Sequence, residues 1–180
     1  MDFQPQIFLQ DGSLLYLVDE IKLLGVIITS DLKWQKNTKH IIMKANKRMW
    51  IIKRLKSMGA NLEQLKLDFF QQVRSVLEIA VPVWNSSLTI SDTLSIERVQ
   101  KSFCHIALGK DYKGFNEAIS SLRLKKLELR KLMLCRTFDV KTAQNRKFKE
   151  WFQLNKIKKN TRRKKLKYKK INARTKHYEK

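Results

Sequence analysis

Glycine, proline, cysteine and acidic residues are all scarce in this 180-residue chain. Five glycines and two prolines supply no glycine-rich loop of the kind that cradles phosphates. The two cysteines, Cys104 and Cys135, lie far apart in helical patterns, which excludes a disulfide framework. Such cysteine usage fits a reducing compartment, so a nuclear or cytoplasmic location is expected. His40, His105 and His177 have no metal-ligand spacing, and Cys104-His105 lacks a second pair. No run approaches the roughly 18 apolar residues that a membrane span requires, and no charged leader followed by an apolar stretch marks a secretory signal. The 16 Asp and Glu are dispersed, with Asp11, Asp19-Glu20 and Asp31 the closest set. Two-metal catalysis needs clustered carboxylates to hold its ions. This chain alone is therefore not expected to be an enzyme or to hold a cofactor.

What the chain has is positive charge: 39 Lys and Arg, for a formal net charge of +23. Solubility needs far less than that, and so large an excess strains a compact state by self-repulsion. A polyanionic partner resolves the conflict, because cations that neutralise phosphates release condensed counterions. RNA, DNA or an RNA–DNA hybrid is the expected partner. An anionic membrane face ranks lower, because no membrane helix or lipidation motif adjoins the basic segments. With 43% apolar residues the chain can still bury a core.

Short apolar runs open the chain. Ile7-Phe8-Leu9 leads into the turn signal Asp11-Gly12-Ser13, followed by Leu14 to Val18 and then Ile21 to Ile28. A strand pair or three-stranded sheet is expected there, and three strands alone need something to pack against. From Asn37 the period becomes helical, with Ile41, Ala45, Met49, Ile52 and Leu55 on one stripe and Gly59 beyond its end. Asn61 is the expected cap of a second helix, whose stripe is Leu62, Leu65, Phe69, Val73, Val76, Leu77 and Ala80. Pro82 is expected to end it, with Val83-Trp84 continuing into a polar loop.

A third helix, capped by Thr89 or Ser91, runs to Leu108 with Ile96, Val99, Phe103, Ile106 and Ala107 inward, and Gly109 stops it. Residues 115–121 make a short helix. A longer one spans about 125–143, with Leu127, Leu134 and Phe138 facing in, and Phe148, Trp151 and Phe152 form a last apolar anchor. Residues 156–180 hold 13 Lys and Arg against one acid, Glu179, and are expected to be a disordered basic tail.

Two segments are candidate phosphate grips. Between Lys33 and Lys56 no acid occurs, so the cations of the first helix have no i,i+4 partners; Lys44, Lys47, Arg48, Lys53 and Arg54 are the expected contacts. The second is the run Arg162-Arg163-Lys164-Lys165 in the tail, an electrostatic arm or an import address. Trp34, Trp50, Trp84 and Trp151 could stack on bases. Packing is the commoner role of single aromatics, and Trp50 beside an apolar stripe and Trp84 after Pro82 are expected in the core or at a hinge.

Four motifs in order carry a family resemblance. Lys22-Leu23-Leu24-Gly25-Val26-Ile27-Ile28 with Asp31-Leu32-Lys33-Trp34 comes first. Lys44-Ala45-Asn46-Lys47-Arg48, Ala80-Val81-Pro82-Val83-Trp84 and Ile96-Glu97-Arg98-Val99-Gln100-Lys101 follow. Together they resemble the region after the catalytic motif in reverse transcriptases of non-LTR, LINE-type retrotransposons, over about residues 14–140. The resemblance implies a primer grip at Leu24 and Gly25 with Lys22 beside them, then a helical thumb resting on template–primer duplex. Where family members often carry an aromatic residue, this chain has Leu23. The family's Ala-Asp-Asp motif lies upstream of the Leu-Gly segment and has no counterpart here, so Mg²⁺ is expected only in a full-length parent.

The expected architecture is mainly α. Residues 1–33 form a palm remnant with a hairpin, 34–155 a helical thumb-like domain and 156–180 the tail. The expected function is sequence-independent gripping of nucleic acid by a reverse-transcriptase fragment without its own active site. The rival readings are a basic helical protein-interaction module and a non-functional translated relic.

Overall fold

Two β-hairpins open the chain in the computed structural model, which describes residues 7–151. β1 (Ile7–Phe8) pairs antiparallel with β2 (Leu14–Leu15), Ile7 opposite Leu15. The Asp11 carboxylate braces the intervening turn by accepting the Ser13 N–H at 2.9 Å and its hydroxyl at 2.7 Å. Residues 21–28, expected as one strand, instead fold back on themselves. β3 (Glu20–Leu23) and β4 (Val26–Thr29) pair with Leu23 opposite Val26. Their two-residue connection, Leu24-Gly25, has φ of 47° and 87°. That is the primed-turn geometry whose twist matches paired strands, and glycine takes it without steric cost. The result is two separate ribbons. β1, β2 and β3 are exposed throughout, and only β4 turns inward, burying Val26.

The turn after β4 launches the first helix. The Asp31 carboxylate accepts the Thr29 hydroxyl at 2.6 Å and the Lys33 N–H at 3.1 Å. The Lys33 carbonyl, 2.9 Å away, shares the same Thr29 proton. Those bonds hold the Asp31 carboxyl well below its ordinary range, the Thr29 hydroxyl first among the causes. Trp34 is buried at the start of α1 (Gln35–Ser57). The Asn37 side chain accepts the Ile27 N–H at 3.1 Å and so ties β4 to α1. Ile41, Ala45, Met49 and Ile52 are buried along α1 as expected, with Leu55 half-buried.

Asn61 and Gln64 form a reciprocal capping box at the head of α2 (Leu62–Asp68). α2 passes through π-helical turns at Phe69–Arg74 into α3 (Ser75–Leu77). The sequence explains the wider turns. Leu65, Phe69, Val73 and Leu77 are all buried and recur every fourth position. On an α-helix that spacing drifts by about 40° per step, and i→i+5 turns take up the drift. Leu62, expected inside, is exposed in the first turn.

Pro82 does not end this helix. Ala80 does, in the left-handed region at φ 49°, ψ 31°. Pro82 sits in the first turn of a new short helix, α4 (Val81–Trp84), where its missing N–H is not needed. Trp84 is fully buried and donates Nε1–H to the Ile79 carbonyl at 2.9 Å. It is therefore a core residue, followed by a 3₁₀ turn at Asn85–Ser87 rather than an open loop.

Thr89 caps α5 (Ile90–Leu108), accepting the Asp92 N–H at 3.1 Å, and Gly109 follows its end. Phe103 of α5 stacks on Phe69, ring centroids 4.1 Å apart, at the centre of the core. α6 (Phe115–Ser121) and α7 (Leu127–Gln144) complete the bundle, and 3₁₀ turns occupy Arg146–Trp151. α7 is anchored by its first half. Glu97 accepts the Leu127 and Glu128 N–H groups at 3.2 Å each, and Gln100 donates to the Lys125 carbonyl at 3.0 Å. Glu78 and Arg130 pair through two bonds of 2.5 and 2.9 Å. Further along, Phe138, expected inside, is exposed. Phe148 is half-buried, while the Trp151 and Phe152 side chains and the basic tail lie outside the described residues.

The left-handed corner at Ala80 separates two roles of alanine.

 Ala80 pays a left-handed penalty of about 1 kcal/mol, which glycine would not incur. Ala45 is a fully buried helix-interior residue, where glycine costs about 1 kcal/mol. Urea melts of Ala80→Gly should therefore show unchanged or slightly raised stability, and those of Ala45→Gly a loss of at least that size. Equal losses would contradict the assigned backbone geometry.

Candidate nucleic-acid interface

The buried stripe of α1 fixes what its other side presents. With Ile41, Ala45, Met49 and Ile52 inward, the 3.6-residue period places Lys39, Met43, Lys47, Trp50 and Arg54 on the outward face. Lys44 and Arg48 lie on one flank and Lys53 on the other. Lys39, Lys47, Arg48, Lys53 and Arg54 are exposed, and Lys44 is half-buried. Among the described residues no carboxylate lies within ion-pair distance of any of these six. Four of the acids pair elsewhere: Asp31 with Lys33, Glu20 with Lys36, Glu63 with Lys66, and Glu78 with Arg74 and Arg130.

The expected contacts do not all stand alike. Arg48 donates Nη1–H to the Gln72 carbonyl in the π-helical segment at 2.7 Å, so part of its guanidinium is committed to the fold while other donors stay outward. Lys56, at the end of the same helix, donates to the Ala107 carbonyl at 3.0 Å and caps α5. Lys47, Lys53 and Arg54 make no side-chain hydrogen bond or ion pair among the described residues, and their heads are open to a ligand. Arg162, Arg163, Lys164 and Lys165 lie outside the described residues.

At the hairpin, Lys22 is exposed on β3, Leu24 is 92% exposed at the tip and Gly25 is half-buried beside it. The hairpin and α1 are tied at Asn37, and His40 follows one turn later on α1. Its Nε2 is buried without a hydrogen-bond partner. Burial holds the imidazole pKa below the ordinary histidine range, and the charges of Lys44 and Lys22 push it the same way. Lys22 and Lys44, separate in sequence, thus act on one imidazole. Sequence reasoning passed over His40 because a lone histidine carries no spacing signal.

Trp50 departs most from expectation. Its place beside the apolar stripe predicts packing in the core or at a hinge, yet it is 67% exposed among the cations of α1. Its position held the signal: it follows Met49 directly, so it stands about 100° away from the buried line. A shallow groove of about 630 Å³ lies one turn before it, lined by Lys39, Ile42, Met43, Asn46 and Lys47 of α1 and Ser95 of α5. Trp34 and Trp84 are buried, as packing residues should be.

The other half of the chain holds buried charge. Lys131 is buried with its ammonium 5.9 Å from the Trp84 ring. Burial lowers its pKa, against the pull of Glu97 and Glu128. Burial likewise raises the Glu97 carboxyl, opposed by the two amides it accepts and by Lys131. Among the described residues no three His, Cys, Asp or Glu side chains gather where a metal ion could sit. No helix among them is long and apolar enough to cross a membrane. No family model, curated protein or solved structure matches the chain.

His40 gives the fold an acid-sensitive joint. Its folded pKa lies below the unfolded value of about 6.5. Between the two the unfolded chain binds the proton and the folded chain does not, so stability falls as pH drops through that window. The melting temperature of the wild type should decline as pH falls below about 6.5, and His40→Gln should flatten that part of the profile. An unchanged slope in the variant would show that His40 is not the group responsible.

Proposed function

We propose that the chain binds nucleic acid through its phosphates, with the outward face and flanks of α1 as the grip. One observation carries the reading: Lys39, Lys44, Lys47, Lys53 and Arg54 line a 23-residue helix without a carboxylate partner among the described residues. Packing does not account for that arrangement, because each cation adds to a charge of +23. A row of phosphates removes the repulsion and releases counterions. The contacts are to backbone oxygens, so the grip positions nucleic acid without reading its bases.

The motif resemblance supports a narrower form of this reading. A reverse-transcriptase thumb would rest α1 on a template–primer duplex, with RNA, DNA or their hybrid as ligand. Lys22, Leu24 and Gly25 at the second hairpin would stand at the primer end. Polymer synthesis would belong to an upstream palm holding Mg²⁺, and this chain would contribute grip alone. The basic run at 162–165 would add an electrostatic arm, and a nuclear or cytoplasmic setting suits such a partner. The exposed apolar strands favour a second role. Phe8, Leu17, Val18, Ile21 and Leu23, on the strands and the link between them, are each more than half exposed, and apolar surface of that kind suits packing against protein.

The grip is tested by salt dependence. Each phosphate contact contributes about 0.9 to the slope of log affinity against log salt. The triple variant Lys47→Ala, Lys53→Ala, Arg54→Ala should weaken binding to duplexes of unrelated sequence by similar factors and flatten the slope by about 2 to 3. Lys66→Ala, which removes a cation already paired with Glu63 at 2.9 Å, should leave the slope nearly unchanged. Wild-type affinity that stays flat from low to high salt would contradict the proposal.

A further inference from the structure

Trp50 is out of place for a helix that merely rests on a duplex. It stands 67% exposed on the outward face of α1, with Met43 two turns before it also 51% exposed. Lys47 and Asn46 lie one turn earlier, and Lys53 and Arg54 one turn later. The side chains of Asn46, Lys47, Lys53 and Arg54 have no hydrogen-bond partner among the described residues. An indole held open to water inside a ring of unpaired donors is suited to a flat apolar surface that carries negative charge at its rim. A nucleotide has that form: a π-face attached to a phosphate.

The interior of a duplex does not offer one, because its bases are stacked on each other and turned away from the backbone. Unpaired nucleotides do. Stacking a base on an aromatic side chain adds affinity without regard to sequence. The groove lined by Lys39, Ile42, Met43, Asn46, Lys47 and Ser95 then has a role. Its apolar floor and free amide could receive the neighbouring nucleotide, and its two lysines the phosphate between them.

We infer that the outward face of α1 takes an unpaired strand, one base stacked on Trp50 and its neighbour in the adjoining groove. The inference rests on the phosphate-grip reading and adds to it. It adds to the phosphate grip a site on this face for single-stranded nucleic acid, or for the single-stranded side of a junction.

The experiment compares Trp50→Ala and Trp50→Phe with wild type on three probes: single-stranded oligonucleotides of RNA and DNA, a covalently closed circular duplex, and vesicles containing phosphatidylserine. Trp50→Ala should weaken single-strand binding by roughly five- to a hundredfold and leave duplex binding within about twofold. Trp50→Phe should retain most of the single-strand affinity. The salt slope should not change, because no charge is removed. Exposure of Trp50 makes misfolding a minor concern, and a thermal melt of each variant checks it. Equal losses on single strand and duplex, or no loss on either, would overturn the inference. So would a loss confined to the vesicles, which would assign the indole to a lipid surface. Wild type that binds none of the nucleic acids would overturn the phosphate grip beneath it, whereas a normal salt slope with no effect at Trp50 would overturn the stacking alone.

Discussion

The outward face of α1 depends on how its inward face is held. Ile41, Ala45, Met49 and Ile52 pack into a core centred on the Phe69–Phe103 stack. Arg48 and Lys56 then fasten the helix at two further points, the Gln72 carbonyl and the end of α5. Because these contacts fix the rotation of the helix, they determine which cations face water. Truncating a buried phenylalanine costs about 3–5 kcal/mol, while an exposed ion pair contributes about 0–1 kcal/mol. Apolar packing therefore holds the face, and the unpaired cations are carried on it at a cost in self-repulsion.

The motifs behind the family resemblance have clear structural work. Asp31 braces the turn that starts α1, and Trp34 buries itself at the helix head. Ala80 turns the corner into α4, and Trp84 fills the core below it. Glu97 and Gln100 hold the start of α7. Lys47 and Arg48 of the second motif and Leu24 at the hairpin tip are instead exposed at the surface. The fold thus explains these residues as joints between elements, and the reverse-transcriptase reading stays a proposal supported by their order.

Much of the fold was legible in the sequence because period and punctuation agree. Asn61, Thr89 and Gly109 mark helix boundaries where the structure has them, and the stripes of α1 and α5 are buried nearly as read. The misses have physical causes. Leu24 at φ 47° is an unusual residue for a primed turn, so the 21–28 run reads as one strand. Ala80 at φ 49° is equally unmarked by residue type, which lets Pro82 pass for a helix stop. Phe138 and Leu62 follow the helical period, but both are exposed, and none of the described elements covers them. In the candidate interface the cations of α1 were readable from the missing acids. Trp50 reads as a packing residue by its hydrophobicity, and only its angle on the helix marks it as outward; that Lys22 and Lys44 both act on His40 needs the hairpin's tertiary position.

Lysine footprinting tests the central claim most directly. The protein, free and saturated with a mixed-sequence duplex carrying a single-stranded overhang, would be acetylated briefly and mapped by mass spectrometry. If α1 is the phosphate grip, Lys39, Lys44, Lys47 and Lys53 become protected while Lys110, Lys113 and Lys141 react as before. Unchanged reactivity along α1 in the bound protein, with protection elsewhere, would contradict it.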